Sequence, residues 1–223
     1  MSKTIITAVD ETDLDSFKKV IDSLDSDLCM LKIGSVSFNA FGHEAVFYAS
    51  KKGFDIFLDL KLHDIPNTVK KSIEGLQSLP ISMITLHTSG GIKMMQSAMD
   101  AVKGSKIKIF GVTALTSLSD DDTNQIYQRD ASSQVNAMLD LAEESGIDGV
   151  VCSPHELNLV SKRVGLLSIT PGIRLVNTDD DQSRVMTPKQ AIELGADYLV
   201  IGRPITASDD ISASLKEIYK SIQ

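Results

Sequence analysis

Cysteine, histidine and long apolar runs are all scarce in this 223-residue chain, and each scarcity removes a class of function. The two cysteines, Cys29 and Cys152, lie inside apolar segments without metal-type spacing, which favours buried reduced thiols over a disulfide or a ligand pair. The four histidines, His43, His63, His87 and His155, are scattered without ligand spacing, so no metal site is expected. No apolar run approaches the roughly 18 residues that span a bilayer. No Gly-x-Gly-x-x-Gly follows the first apolar segment, as a dinucleotide site would require. Positive charge is short as well: the net charge of −8 argues against a nucleic-acid surface, because phosphate backbones are held by clustered Lys and Arg. An anionic small substrate would need a local basic pocket instead. The first nine residues lack the ordered regions of a secretory signal, so the cytoplasm is the expected compartment.

What is present is an ordinary globular composition, 42% hydrophobic and 23% charged, at a length that suits one domain over residues 1–223. Short β-branched runs recur at Thr4 to Val9, Leu28 to Ile33, Asp55 to Leu60, Met83 to Leu86, Ile107 to Val112, Gly149 to Cys152, Leu167 to Ile169 and Tyr198 to Ile201. Between them, segments such as Leu14 to Leu24, Gly42 to Lys52, Thr68 to Leu79, Ser133 to Ser145 and Thr187 to Leu194 space their apolar residues by three and four, as helices do. Eight strand-helix units in this length predict an α/β protein of the (β/α)8 TIM-barrel type, with an open doubly wound sheet as the alternative.

A barrel of this kind does its chemistry at the C-terminal strand ends, and ionisable residues collect there. Strand one ends in Asp10, strand two in Lys32-Ile33-Gly34, strand four in His87, strand seven in Pro171-Gly172-Ile173-Arg174 and strand eight in Gly202-Arg203. Strand three ends in Asp59-Leu60-Lys61, and the period of two puts Asp59 and Lys61 on one face, opposite Leu58 and Leu60. Such charges are rarely buried unless paired, so the cluster with Asp64 is either a structural ion network or a catalytic device. Lys32 could run out to solvent and Asp10 could cap a helix. Gly202 and Arg203, at an expected helix start, suit a phosphate through backbone N–H groups and a guanidinium. The polar segment from Gly172 to Pro188 is a surface loop or a lid.

The run Asp59-Leu60-Lys61-Leu62-His63-Asp64-Ile65-Pro66-Asn67-Thr68 resembles the signature of the orotidine 5′-phosphate decarboxylase family. Ala8-Val9-Asp10, Leu31 to Gly34, His87 to Gly91, Leu115-Thr116-Ser117, Thr170 to Arg174, Asp181-Gln182 and Val200 to Pro204 follow in the family's order. The resemblance implies conversion of orotidine 5′-phosphate to UMP and CO2 without metal or cofactor. It makes Lys61 the proton donor, Asp59 the carboxylate set against the departing CO2, and Lys32 and Asp10 the holders of ribose hydroxyls. Asp64, with Thr68, would serve the partner's site in a homodimer whose active sites are shared, and Ile65 and Pro66 would also be substrate-binding. Gly202 and Arg203 would hold the phosphate, Gln182 would join the lid to phosphate and base, and Thr116 would meet the pyrimidine edge, with Arg174 also at the substrate. Two rivals remain open on sequence: a related sugar-phosphate decarboxylase that needs Mg²⁺, and a nucleotide-binding barrel without turnover.

Overall fold

Eight short β-branched runs become eight parallel strands that close on one another in chain order: β1 (Ile5–Val9), β2 (Cys29–Gly34), β3 (Ile56–Leu62), β4 (Met83–His87), β5 (Lys108–Val112), β6 (Gly149–Val151), β7 (Leu167–Thr170) and β8 (Tyr198–Ile201), with β8 pairing back onto β1. The computed structural model describes residues 3–174 and 186–223. Closure rules out the open doubly wound sheet.

The α-helices are α1 (Leu14–Asp22), α2 (Ser35–Phe41), α3 (His43–Lys51), α4 (Pro66–Leu76), α5 (Ile92–Val102), α6 (Asp120–Tyr127), α7 (Ala131–Ser145), α8 (Leu157–Val160), α9 (Pro188–Glu193), α10 (Arg203–Thr206) and α11 (Ile211–Ser221). Local chemistry starts and stops them. Asp13, Asp130 and Asp210 each accept a backbone N–H three residues on, and Ser119 with Asp122 forms a reciprocal capping box, so each helix start has a partner for N–H groups that lack one within the helix. Pro66 opens α4 at a position where its missing N–H loses no bond. Asp10 is not a cap: Asp13 caps α1, which frees Asp10 for the barrel mouth.

The strand period of two divides the core into two layers. Outward-facing residues, among them Ile5, Leu31, Ile33, Leu58, Ile84, Ile109, Val150 and Leu199, pack under the helices. Inward-facing Ile6, Ala8, Met30, Phe57, Met83, Phe110, Ile169 and Val200 fill the barrel interior as a separate apolar plug. Each fully buried Ile, Leu or Phe contributes roughly 1.5–3 kcal/mol relative to exposure. The plug closes around Phe110 because position 149 is glycine: a Cβ there would lie 2.6 Å from the ring and 2.3 Å from the Leu167 carbonyl oxygen. The same inward parity, carried one step past the plug, delivers Asp10, Lys32 and Asp59 to the mouth and sets the buried Thr85 against Asp59.

One strand departs from the expected alternation. β3 keeps register with β4 at Phe57↔Met83 and Leu58↔Ile84 but next pairs at Leu62↔Leu86, so four steps of β3 oppose two of β4. The excess is a bulge, and within it Lys61 takes φ +51°, a left-handed conformation unfavourable for a side chain with a Cβ.

Candidate active site

Above the plug lies a cavity of about 310 Å³ lined by residues from several strand ends, including Asp10, Lys32, Asp59, Lys61, Thr116, Arg174, Gly202 and Arg203. Its two walls differ. One wall is an alternating charge network carried by β1, β2 and β3. The Lys32 ammonium lies 3.1 Å from Asp10 Oδ1 and 3.8 Å from Asp59 Oδ2, and Lys61 Nζ donates to Asp59 Oδ2 at 2.7 Å. Asp59 is therefore one carboxylate between two cations. Its side chain is 10% exposed and that of Lys32 13%, while Lys61 keeps 36% of its side chain open to the cavity. Lys32 thus does not run out to solvent.

The other wall comes from the ends of β5, β7 and β8 and meets the first where β8 pairs with β1. Ala114, Leu115 and Thr116 follow β5, Gly172 and Arg174 follow β7, and Gly202 with Arg203 follows β8. Arg203 opens only the four-residue turn α10, so the expected helix start is present but short. Arg174 is buried and donates from Nη1 to the Ile173 carbonyl at 3.1 Å. Ile173 bridges to Met186, with Arg174 N–H donating to Met186 O at 3.0 Å and Met186 N–H to Gly172 O at 3.2 Å. Most of the Gly172 to Pro188 segment, including Asp181 and Gln182, lies outside the described residues.

Asp64, Ile65, Pro66 and Thr68 do not line this cavity. Asp64 is exposed and accepts its neighbour's Ile65 N–H at 2.7 Å, and Ile65 is 67% exposed, unusual for so apolar a side chain. Among the described residues no group of three or more His, Cys, Asp or Glu could hold a metal, and no helix is long and apolar enough to cross a membrane.

Three residues beside the cavity gain a role only from the fold. Gly34 makes room for the network: a Cβ there would lie 2.7 Å from Lys32 Nζ and 3.0 Å from Asp10 Oδ1. Thr85 donates its hydroxyl to Asp59 Oδ1 at 2.8 Å and accepts the Lys61 backbone N–H at 2.9 Å. His87 packs against His63 with ring centroids 5.3 Å apart, and burial, aided by the nearby His63 and Lys61, lowers its pKa below the usual histidine value. The threonine carries no sequence signal, since it is common in strands, and the matching run Leu31 to Gly34 assigns the glycine no role of its own. The cysteines take no part: burial raises the Cys29 pKa to about 11 and pushes Cys152 higher still.

The arrangement can place a proton-bearing ammonium beside a carboxylate at one wall while a guanidinium and backbone N–H groups hold an anion at the other. Residues 3–218 match the model of the "Orotidine 5'-phosphate decarboxylase / HUMPS family". The chain is 45% identical over 221 residues to an orotidine 5′-phosphate decarboxylase of Wolbachia pipientis (subsp. Culex pipiens), covering 98% of each chain. It is 44% identical to that of Shewanella sediminis, over 99% of this chain and 97% of the other. The crystal structure of the Lactobacillus acidophilus orotidine 5′-phosphate decarboxylase superposes over the full length of both chains with a TM-score of 0.88 at 34% identity.

Proposed function

Because the chain belongs to the orotidine 5′-phosphate decarboxylase / HUMPS family, and its reaction is the decarboxylation of orotidine 5′-phosphate to UMP in pyrimidine synthesis, we propose how its own residues perform that reaction. The observation that carries the reading is the pairing of Lys61 with Asp59 at 2.7 Å, facing a cavity whose other wall presents Arg203. The C6–carboxylate bond breaks, CO2 leaves, and the electron pair stays on C6 in the plane of the ring. Lys61 stabilises that charge and then delivers a proton from Nζ to C6, which yields UMP and a neutral amine that regains its proton from water. Asp59 faces the departing carboxylate and disfavours the bound substrate more than the carbanion.

Lys32 and Asp10 hold ribose hydroxyls, Arg203 and the Gly202 backbone hold the phosphate, Thr116 meets the pyrimidine edge, and Arg174 also contacts substrate. Gln182 completes the site from the segment outside the described residues. Phosphate binding far from C6 helps hold the ring against Lys61, so that binding energy is expressed at the reacting carbon. The reaction runs without metal or cofactor, in the cytoplasm, and the chain acts as one catalytic domain.

The functional unit in this reading is a homodimer. Asp64, Ile65, Pro66 and Thr68 stand outside the chain's own cavity, and the 67% exposure of the apolar Ile65 among them supports a partner surface. From there they complete the site of the other subunit. Mixing Asp64→Asn with Lys61→Ala chains tests this. Restored turnover of about a quarter of wild type is expected, since half of randomly formed dimers are hybrids with one intact site. No recovery, with subunit exchange verified, would sink the shared site.

A further inference from the structure

The bulge in β3 leaves a hydrogen-bonding problem that one buried hydroxyl solves. Register places Leu58 opposite Ile84 and Leu62 opposite Leu86, so Asp59, Leu60 and Lys61 together face the single residue Thr85. A regular ladder cannot satisfy three backbone units from one, and an unpaired buried N–H is costly. Thr85 Oγ1 accepts the Lys61 N–H at 2.9 Å in place of a backbone carbonyl. A hydroxyl has one proton to give, and here it goes to Asp59 Oδ1 at 2.8 Å.

These two bonds fix two properties of the reacting pair. With Oδ1 held by Thr85, it is Oδ2 that faces Lys61 Nζ at 2.7 Å and Lys32 Nζ at 3.8 Å, so the threonine sets the rotation of the carboxylate. With its N–H held, Lys61 stays at φ +51°, a conformation that persists only where its surroundings enforce it. Thr85 itself is fully buried and does not line the cavity. We propose that Thr85 is a positioning residue for the decarboxylation, acting on substrate only through the orientation it imposes on Asp59 and Lys61. The proposal rests on the reaction roles assigned above to that pair.

The test compares Thr85→Val, which keeps the side-chain shape but loses the hydroxyl, with Thr85→Ser, which keeps the hydroxyl. Misplacing reacting groups by about 1 Å lowers rate by as much as roughly 100-fold. For Thr85→Val the expected result is a kcat lowered by about 10- to 100-fold with KM for orotidine 5′-phosphate within about threefold. Thr85→Ser should return kcat to within about threefold of wild type. A role confined to folding would instead lower the amount of active protein and the melting temperature while leaving kcat per active site unchanged. If Thr85→Val does not fold, Thr85→Ala replaces it and is read on the same two constants. Unchanged kcat in the folded hydroxyl-free variant, or a Thr85→Ser variant as impaired as Thr85→Val, would overturn the proposal. Wild-type turnover is measured in the same series: its absence would fail the reaction assignment, whereas equal turnover by wild type and Thr85→Val fails only the role of Thr85.

Discussion

An ion network at the barrel mouth and one on the outer surface differ in how far their central charge is removed from water, and the difference separates the cluster proposed to act on substrate from one that is only solvated. At the barrel mouth one carboxylate, Asp59, lies between the ammonium groups of Lys61 and Lys32. On the outer surface one guanidinium, Arg163, lies between Asp140 at 2.6 Å and Glu143 at 3.3 Å, with Asn136 also accepting from it at 2.8 Å. The outer pairs are no longer than the inner ones, so distance does not separate the two. Desolvation of the central carboxylate does: the acids around Arg163 are 57% and 40% exposed, as is the terminal Asp10 of the inner network at 45%, against 10% for Asp59. Exposed pairs contribute about 0–1 kcal/mol, being screened and entropically expensive. The inner network adds a buried carboxylate, a left-handed lysine and a glycine reserved for space, features that disfavour folding and have meaning only if a substrate uses them.

The sharpest way to break the contrast is to neutralise each hub. Asp59→Asn should lower turnover by about 1000-fold, since it removes charge aimed at the reacting group. Arg163→Ala, read in the same assay, should leave kcat and KM within error and shift stability by less than about 1 kcal/mol. A comparable loss of activity in both variants would show that burial is not what separates them.

A second comparison isolates backbone strain. Both Lys61→Gly and Lys61→Ala remove the ammonium, but only glycine adopts φ +51° freely. The glycine variant should be the more stable by about 1 kcal/mol, seen as a melting temperature higher by roughly 2–4 °C. Equal melting temperatures would mean that Lys61 is not strained.

The smallest effect concerns pH. His87 has its pKa lowered by burial first, then by His63 and Lys61, with Asp59 opposing. Below its ordinary value of 6.5 the unfolded chain takes up a proton that the folded chain resists. The associated stability is therefore complete above about pH 6.5 and is lost as pH falls from there toward the lower folded value. Wild type should lose slightly more stability than His87→Gln between about pH 6.5 and 5 in thermal melts. Parallel curves would deny His87 any share in the pH dependence.

Much of this molecule is readable before folding. The eight strands announce themselves as β-branched runs, and the expectation that ionisable residues gather at the strand ends matches a cavity lined by Asp10, Lys32, Asp59 and Lys61. Lys61 reaches Asp59 by a different route from simple alternation, because the bulge depends on how β3 registers against β4, a non-local property. Thr85 is invisible in the sequence for the same reason: a threonine suits any strand, and only the bulge gives its hydroxyl two partners. Helix α5, with Met94, Met95 and Ala98 buried, continues the helical pattern after Gly91, whose φ of +83° a side chain would resist. That Asp64 does not line its own cavity is likewise beyond local pattern, since it depends on how the chain leaves β3 and enters α4 at Pro66.

The role of Lys61 is decided by following the loss of the orotate absorbance band when wild-type and Lys61→Ala proteins are given orotidine 5′-phosphate in excess EDTA. Wild type should convert it to UMP and CO2, and Lys61→Ala, folded and still able to bind UMP, should fall by about 10⁴-fold or more. Turnover by Lys61→Ala near the wild-type rate would contradict the assignment of Lys61 as the proton donor, and loss of wild-type turnover in EDTA would contradict a metal-free reaction.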